Sequence, residues 1–211
     1  MTVLIVTKAK GGVSRPMSMT VIPQPQEIPV DELQGIGEEA GISGVPFAGL
    51  LSGFINHERC AARFSLAAAR QVSQEDIRGL HNELARTHLG HVSTMQALMT
   101  VIGLDANYVG PAARMASYLD EKLMHAPLLA GSVDPMTMER FTVEVALAMI
   151  AIDQLNAELL VQIAIEAKPS DFKDTLRAAA ERWAASTEEG FENLRSARQA
   201  LLLEVAFAGT D

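Results

Sequence analysis

The stretch Phe54-Ile55-Asn56-His57-Glu58-Arg59-Cys60-Ala61-Ala62-Arg63-Phe64 sets one carboxylate into an apolar helical stripe, and its reading decides the fold. At about 100° per residue, Leu51, Phe54, Ile55, Glu58, Ala62, Ser65 and Ala69 fall within roughly 60° of one direction, so Glu58 points inward. A buried carboxylate without a partner protonates or destabilises the fold, so Glu58 must meet a cation, a hydrogen-bond network or a metal. A helix rotated until Glu58 reaches its rim, or a simple Arg partner, would also satisfy it. On the far side Cys60, Phe64 and Ala67 form a second apolar surface, to be covered by an N-terminal arm or by another subunit. His57 and Arg59, on the flanks, are expected in solvent. Cys60 is expected to be a small buried side chain rather than a nucleophile, since no activating Asp or His stands beside it in the sequence.

Around this helix lies a chain of 211 residues, 48% hydrophobic and 5% aromatic, long enough for one sizeable core. Alanine, leucine and methionine dominate beyond the first quarter, with few glycines inside long runs, which favours an all-α class. The formal net charge is −9 and the pI about 5.0. With no Lys/Arg cluster, neither nucleic acid nor an anionic membrane is expected as a partner. A single cysteine, Cys60, excludes an intrachain disulfide and a Cys-rich metal cluster and suits a reducing cytoplasm. The run Val3-Leu4-Ile5-Val6 is too short for a signal-peptide core, and Lys8 and Lys10 follow it rather than precede it. Val143 to Ile152, the longest apolar run, is too short to cross a bilayer.

Residues 1–45 read as an irregular arm, holding most of the prolines of the first half of the chain. Within it Thr2 to Thr7 and Met17 to Ile22 flank Gly11-Gly12 and can pair as a short hairpin, and Pro29 to Ala40 can supply a helical turn or two. The first long helix is expected from Pro46 to Val72. The second starts with Ser73 as N-cap, carries an inward stripe of Leu80, Leu84, Thr87, His91, Met95, Leu98 and Ile102 with His88 one step aside, and ends at Gly103. Leu104 to Asp134 is a long connection with a helical piece from Pro111 to Met124. The third long helix, from Pro135 to about Ala167, is apolar almost all round. Asp153 and Asn156 mark its polar side, which places Glu144, Leu155, Glu158 and Gln162 on the opposite face, toward apolar surroundings. Pro169-Ser170-Asp171 opens the last helix, whose stripe is Leu176, Ala180, Trp183, Thr187, Phe191, Leu194 and Leu201, with Glu188 and Glu189 at or beyond its edge. A short turn after the first helix and a long connection after the second suit an antiparallel four-helix bundle with a crossover, over residues 46–206, and a tail at 207–211.

The two halves repeat. Glu58 precedes His88 by thirty residues, and Glu158 precedes Glu188 by the same interval; three residues further on stand His91 and Phe191. A mid-helix glutamate facing two positions three apart on its antiparallel partner is the geometry of a carboxylate-bridged two-metal site in a four-helix bundle.

In these residues the chain resembles the ferritin-like superfamily, on its bacterioferritin and rubrerythrin side. The likeness is carried by His57-Glu58-Arg59-Cys60-Ala61-Ala62-Arg63-Phe64 through Ala69-Arg70, similar to the family's first helix, and by His88-Leu89-Gly90-His91 through Gly103-Leu104, similar to its second. As architecture it covers about 46–206. It implies iron-dependent oxygen or peroxide chemistry, with carboxylates bridging metals and histidines as terminal ligands. The chain departs from the family's Glu-x-x-His motif: His88 stands where its Glu would be, and Phe191 replaces the His of the fourth helix. The remaining metal-ligand candidates are Glu58, His88, His91, Glu158 and Glu188, with Glu144 as an alternative on the third helix. Such donors suit iron, manganese or zinc, and Glu58, His88 and His91 alone suffice for one open site. The alternative is no metal at all, with Glu58 paired to a protonated His91 in a helical interaction protein whose polar core residues fix register. No Gly-rich phosphate loop suggests a nucleotide or flavin. The Cys60/Phe64/Ala67 face and the apolar third helix lead to the expectation of a homodimer.

Overall fold

The computed structural model describes residues 37–129 and 134–207. The expected hairpin of Thr2–Thr7 and Met17–Ile22, most of the arm, and the end of the tail lie outside the described residues. Within them the protein is all-α, without a strand: α1 (Gly44–Ala69), α2 (Glu75–Val101), α3 (Pro111–Leu129), α4 (Pro135–Glu166) and α5 (Asp171–Phe207). A single 3-10 turn, Glu38–Ala40, precedes α1 between Gly37 and Gly41, whose φ values of 75° and 69° lie in the left-handed region that glycine enters without strain. The Lys168 amide donates to Ala40 O (2.8 Å) and ties this turn to the α4–α5 connection.

The helix ends follow the chemistry of their sequences, with one exception. Gly103, at φ 81°, stops α2, and the amide of Leu104 closes back on Met99 O at 2.8 Å. Asp134 caps α4 by accepting from the Thr137 amide, ahead of Pro135 in the first turn. Ser73, by contrast, is not the cap of α2. Gln74 holds that position without a side-chain bond, and the open amides are met from another helix. Glu139 Oε1 on α4 accepts from Ser73 N (2.8 Å), Gln74 N (2.7 Å) and Ser73 Oγ (2.8 Å). A buried carboxylate thus does between helices what a local cap does within one.

The closest packing is between α1 and α2 and between α4 and α5; α3 lies chiefly on α1 and also touches α4. The apolar interior falls into two clusters. One joins Phe47, Leu51 and Phe54 of α1 with Met95 and Leu98 of α2, Leu160 of α4, and Leu176 and Trp183 of α5. The other joins Cys60 and Phe64 of α1 with Leu84 of α2, Val143 and Met149 of α4, and Leu194 and Leu201 of α5.

The side of α1 bearing Cys60 and Phe64 is therefore covered within the chain, with Leu123 and Met124 of α3 packed against the same cluster, whereas Ala67 is exposed. The expectation placed this face against the arm or a second subunit; helix α3 takes that place.

Helix α4 also turns the other way from the expectation. Asp153 is 0% exposed and Leu155 66% exposed, and Glu158 lies in solvent. The inward stripe runs through Val143, Ala146, Met149, Ile150, Asp153, Ala157, Leu160 and Ala164. Three alanines let α4 approach its neighbours closely, while the larger side chains of Leu155 and Leu159 are left outside. By length and hydropathy alone α4, with an 18-residue window of mean hydropathy 1.4, meets the requirements of a membrane span; a third of that window is buried inside the protein.

Candidate metal centre

Between the two apolar clusters lies one polar layer, and helices α1 to α5 all contribute to it. Helix α1 supplies His57 and Glu58, α2 supplies His88 and His91, α3 supplies Asp120, α4 supplies Asp153 and α5 supplies Ser186. The placement follows from periodicity: Glu58 sits in the stripe of Leu51, Ile55 and Ala62, and His88 and His91 sit one turn apart on α2, between Leu84 and Met95.

Glu58, with 0% exposure, is met from both sides. His88 Nδ1 stands 2.7 Å from Oε2, and His91 Nδ1 stands 3.0 Å from Oε1. The three buried residues each offer an atom within 4.8 Å of the others and could hold a metal ion. Atoms bound to one ion at about 2.0–2.2 Å stand roughly 3 Å apart, so the 2.7 and 3.0 Å separations fit a ligand set as well as they fit hydrogen bonds.

His91 is oriented for that role. Its Nε2 lies 2.7 Å from Ser186 Oγ, and the hydroxyl is itself 3.0 Å from the carbonyls of Arg182 and Trp183. Because those carbonyls only accept, the hydroxyl donates to them and its oxygen receives the Nε2–H. In the neutral tautomer the lone pair then falls on Nδ1, facing Glu58. The indole of Trp183 packs on the same ring at 5.7 Å and on Phe54 at 5.5 Å, closing the layer on the side of the first cluster.

Burial would raise the Glu58 pKa, but the bonds from His88 and His91 and their charges outweigh it and bring it to about 2. Burial likewise opposes protonation of His88, yet the Glu58 bond and the charges of Asp153 and Glu58 raise its pKa. The layer therefore favours a carboxylate opposed by positive charge, carried by protons or by a cation.

His57, expected in solvent, is buried. Its Nδ1 is 2.7 Å from Asp120 Oδ1, and its Nε2 is 3.1 Å from the Met149 carbonyl and 3.1 Å from Asp153 Oδ1. Burial works against its charge, but Asp120 and Asp153 dominate and raise its pKa to about 11. Asp153 is pushed toward its neutral form: burial and the charge of Glu58 raise its pKa against the pull of His57 and His88. The signal for His57 was in the sequence, since its direction on α1 lies beside the Cys60/Phe64 stripe and is covered once that stripe is covered. Asp120 gave no such signal, because its role depends on α3 docking against α1.

Of the expected ligands, Glu58, His88 and His91 come together. Glu158 and Glu188 do not join them: both are exposed, and Glu188 accepts from Gln154 Nε2 at 2.8 Å on the outer surface. The physical reason is the rotation of α4, which turns Asp153 inward and carries Glu158 out. Glu144 is paired at the surface with Arg198 at 2.7 Å. Phe191 is partly buried against the second cluster. Cys60 is buried, and desolvation, with Asp120 nearby, pushes its thiol up to about 12, which leaves it protonated and unreactive. No family model, curated protein or solved structure matches the chain, so what the centre does follows from its own chemistry.

Proposed function

We propose that the protein is a ferritin-like four-helix bundle that binds one transition-metal ion, iron, manganese or zinc, through Glu58, His88 and His91. The observation that carries this reading is the convergence of three buried donors from two helices on one point between apolar clusters. Two imidazoles and a carboxylate with open positions form a set used for non-haem iron, and a His/His/Glu set also serves zinc. Iron or manganese would supply redox and oxygen chemistry there, and zinc a Lewis acid; Ser186 would hold the His91 ring in place and Trp183 would keep water from that side.

Support for the bundle comes from the two clusters. The N-terminal halves of α1 and α5 share one of them with the C-terminal halves of α2 and α4. With that pairing α1 and α5 run one way and α2 and α4 the other, and α3 serves as the crossover that carries the chain back along the bundle. A metal-free interaction protein, with a polar layer that fixes helix register, is favoured by a different fact: both Glu58 oxygens already lie at hydrogen-bond distance from an imidazole, 2.7 and 3.0 Å. A reducing cytoplasm and a homodimer belong to the same proposal. The dimer has to use a face other than Cys60 and Phe64, and light scattering at tens of micromolar tests it.

Metal analysis of protein purified without a His-tag, after supplementation with iron, manganese and zinc in turn, separates the two readings. About one equivalent of one of these per chain, lost on His91→Ala, is expected. Below about 0.1 equivalent for all three, the metal reading is wrong.

A further inference from the structure

We infer that Asp153 of α4 is a fourth ligand of this ion, and that Asp120 of α3, acting through His57, is the residue that positions it. The inference rests on the metal reading above and extends it to two helices that the Glu58, His88 and His91 set does not use.

Asp153 is 0% exposed, and neither of its oxygens receives a hydrogen bond. Oδ1 is 3.1 Å from His57 Nε2 and Oδ2 is 3.3 Å from His88 Nδ1, but the alignment at both nitrogens favours other acceptors. His57 Nε2 is directed at the Met149 carbonyl, 3.1 Å away, and His88 Nδ1 at Glu58 Oε2, 2.7 Å away. A fully buried carboxylate with no aligned hydrogen bond, faced by the His57 ring at 3.1 Å and by an atom of a ligand set at 3.3 Å, keeps lone pairs open to a metal ion. Its Oδ2, 3.3 Å from His88 Nδ1, is within the spacing of two ligands on one ion, and Asp153 joins the three-residue set at that edge.

His57 is not itself a ligand through Nε2. A carbonyl only accepts, so the nitrogen facing Met149 carries a hydrogen and has no lone pair to give. Its other nitrogen is taken by Asp120 Oδ1 at 2.7 Å. Asp120, His57 and Asp153 thus form a chain from α3 to the centre, in which Asp120 fixes the imidazole by a hydrogen bond and the imidazole holds the carboxylate by charge, with Nε2 3.1 Å from Asp153 Oδ1. Asn56 of α1, one residue from His57, bonds Ser117 Oγ of α3 at 2.7 Å and holds the two helices in this register.

The test uses Co(II) as the probe, added to the full chain, with affinity read by competition against a chelator and coordination read from the visible spectrum. Asp153→Asn is expected to weaken Co(II) binding by about 100-fold or more, above the range seen for outer partners, and to change the spectrum. Asp120→Asn is expected to weaken it by about tenfold, and to have no further effect in the Asp153→Asn background, where a merely structural role would persist. If Asp153→Asn does not fold, the double variant His57→Gln/Asp153→Asn removes both charges of the pair together and should show the same loss. Unchanged affinity and spectrum in the Asp153 variants, with wild type binding normally, overturn the inference and leave the three-residue site standing. Failure of wild type to bind Co(II) overturns the metal reading itself, and the inference with it.

Discussion

Glu58 and Glu158 occupy corresponding places in the repeat, yet one is completely buried at the centre of the molecule and the other lies in solvent. The difference comes from the helices that carry them. Helix α1 has an apolar stripe with a direction, and Glu58 lies in it, so burial of the stripe buries the acid. Helix α4 is apolar almost all round, and hydrophobicity alone then gives no inward direction. Its packing is decided by size: the alanine-lined face that contains Asp153 goes in, and Leu155 and Leu159 stay out. A buried acid is therefore found at Asp153, five residues from the position that the repeat singles out.

Replacing the two glutamates should give the largest contrast. In the metal-free chain Glu58→Ala leaves His88 and His91 facing a gap and is expected to cost about 3–5 kcal/mol in urea unfolding. Glu158→Ala should stay within about 0.5 kcal/mol of wild type. Similar losses for both would remove the distinction between the two halves.

Histidines on α2 sharpen it by a different route. His81 is as buried as His88 but, among the described residues, hydrogen-bonds only with Thr142 Oγ1, at 3.1 Å, and desolvation lowers its pKa to about 4. The unfolded chain takes up the proton first, near pH 6.5, so this contribution is complete above 6.5 and is lost as the pH falls toward 4. A wild-type stability advantage over His81→Gln should shrink by about 3 kcal/mol between pH 7 and pH 4. A constant difference would mean that burial without a charged partner does not keep this ring neutral.

The smallest of these effects concerns the second buried acid of α4. Glu139→Ala removes three bonds to Ser73 and Gln74 and should cost about 2 kcal/mol, chiefly by freeing the start of α2. Ser73→Ala should cost less, because the two backbone amides keep their acceptor. If Ser73→Ala were the more damaging change, the helix would be capped locally after all.

Much of the fold was legible in the sequence because its signals are local. The short turn after α1, Gly103 after α2, Asp134-Pro135 before α4 and Ser170-Asp171 before α5 all mark helix ends near where they fall. Glu58, His88 and His91 were legible for the same reason, each lying on or beside a directional stripe. Asp120 and Asp153 were not, and His57 was legible only through the Cys60/Phe64 stripe that it adjoins. Their burial depends on which face α4 turns inward and on where α3 docks, and both are settled by packing between segments far apart in the chain. The thirty-residue repeat pointed to Glu158 and Glu188 by symmetry of numbering, but α4 is rotated relative to α1 and does not keep that symmetry in space.

X-ray absorption at the zinc edge, on full-length protein loaded with one equivalent of zinc, tests the centre most directly. Two imidazoles bound at about 2.0–2.1 Å, falling to one in His91→Ala, are the expected result. A shell of oxygens alone, or one unchanged by His91→Ala, would contradict a metal held by Glu58, His88 and His91.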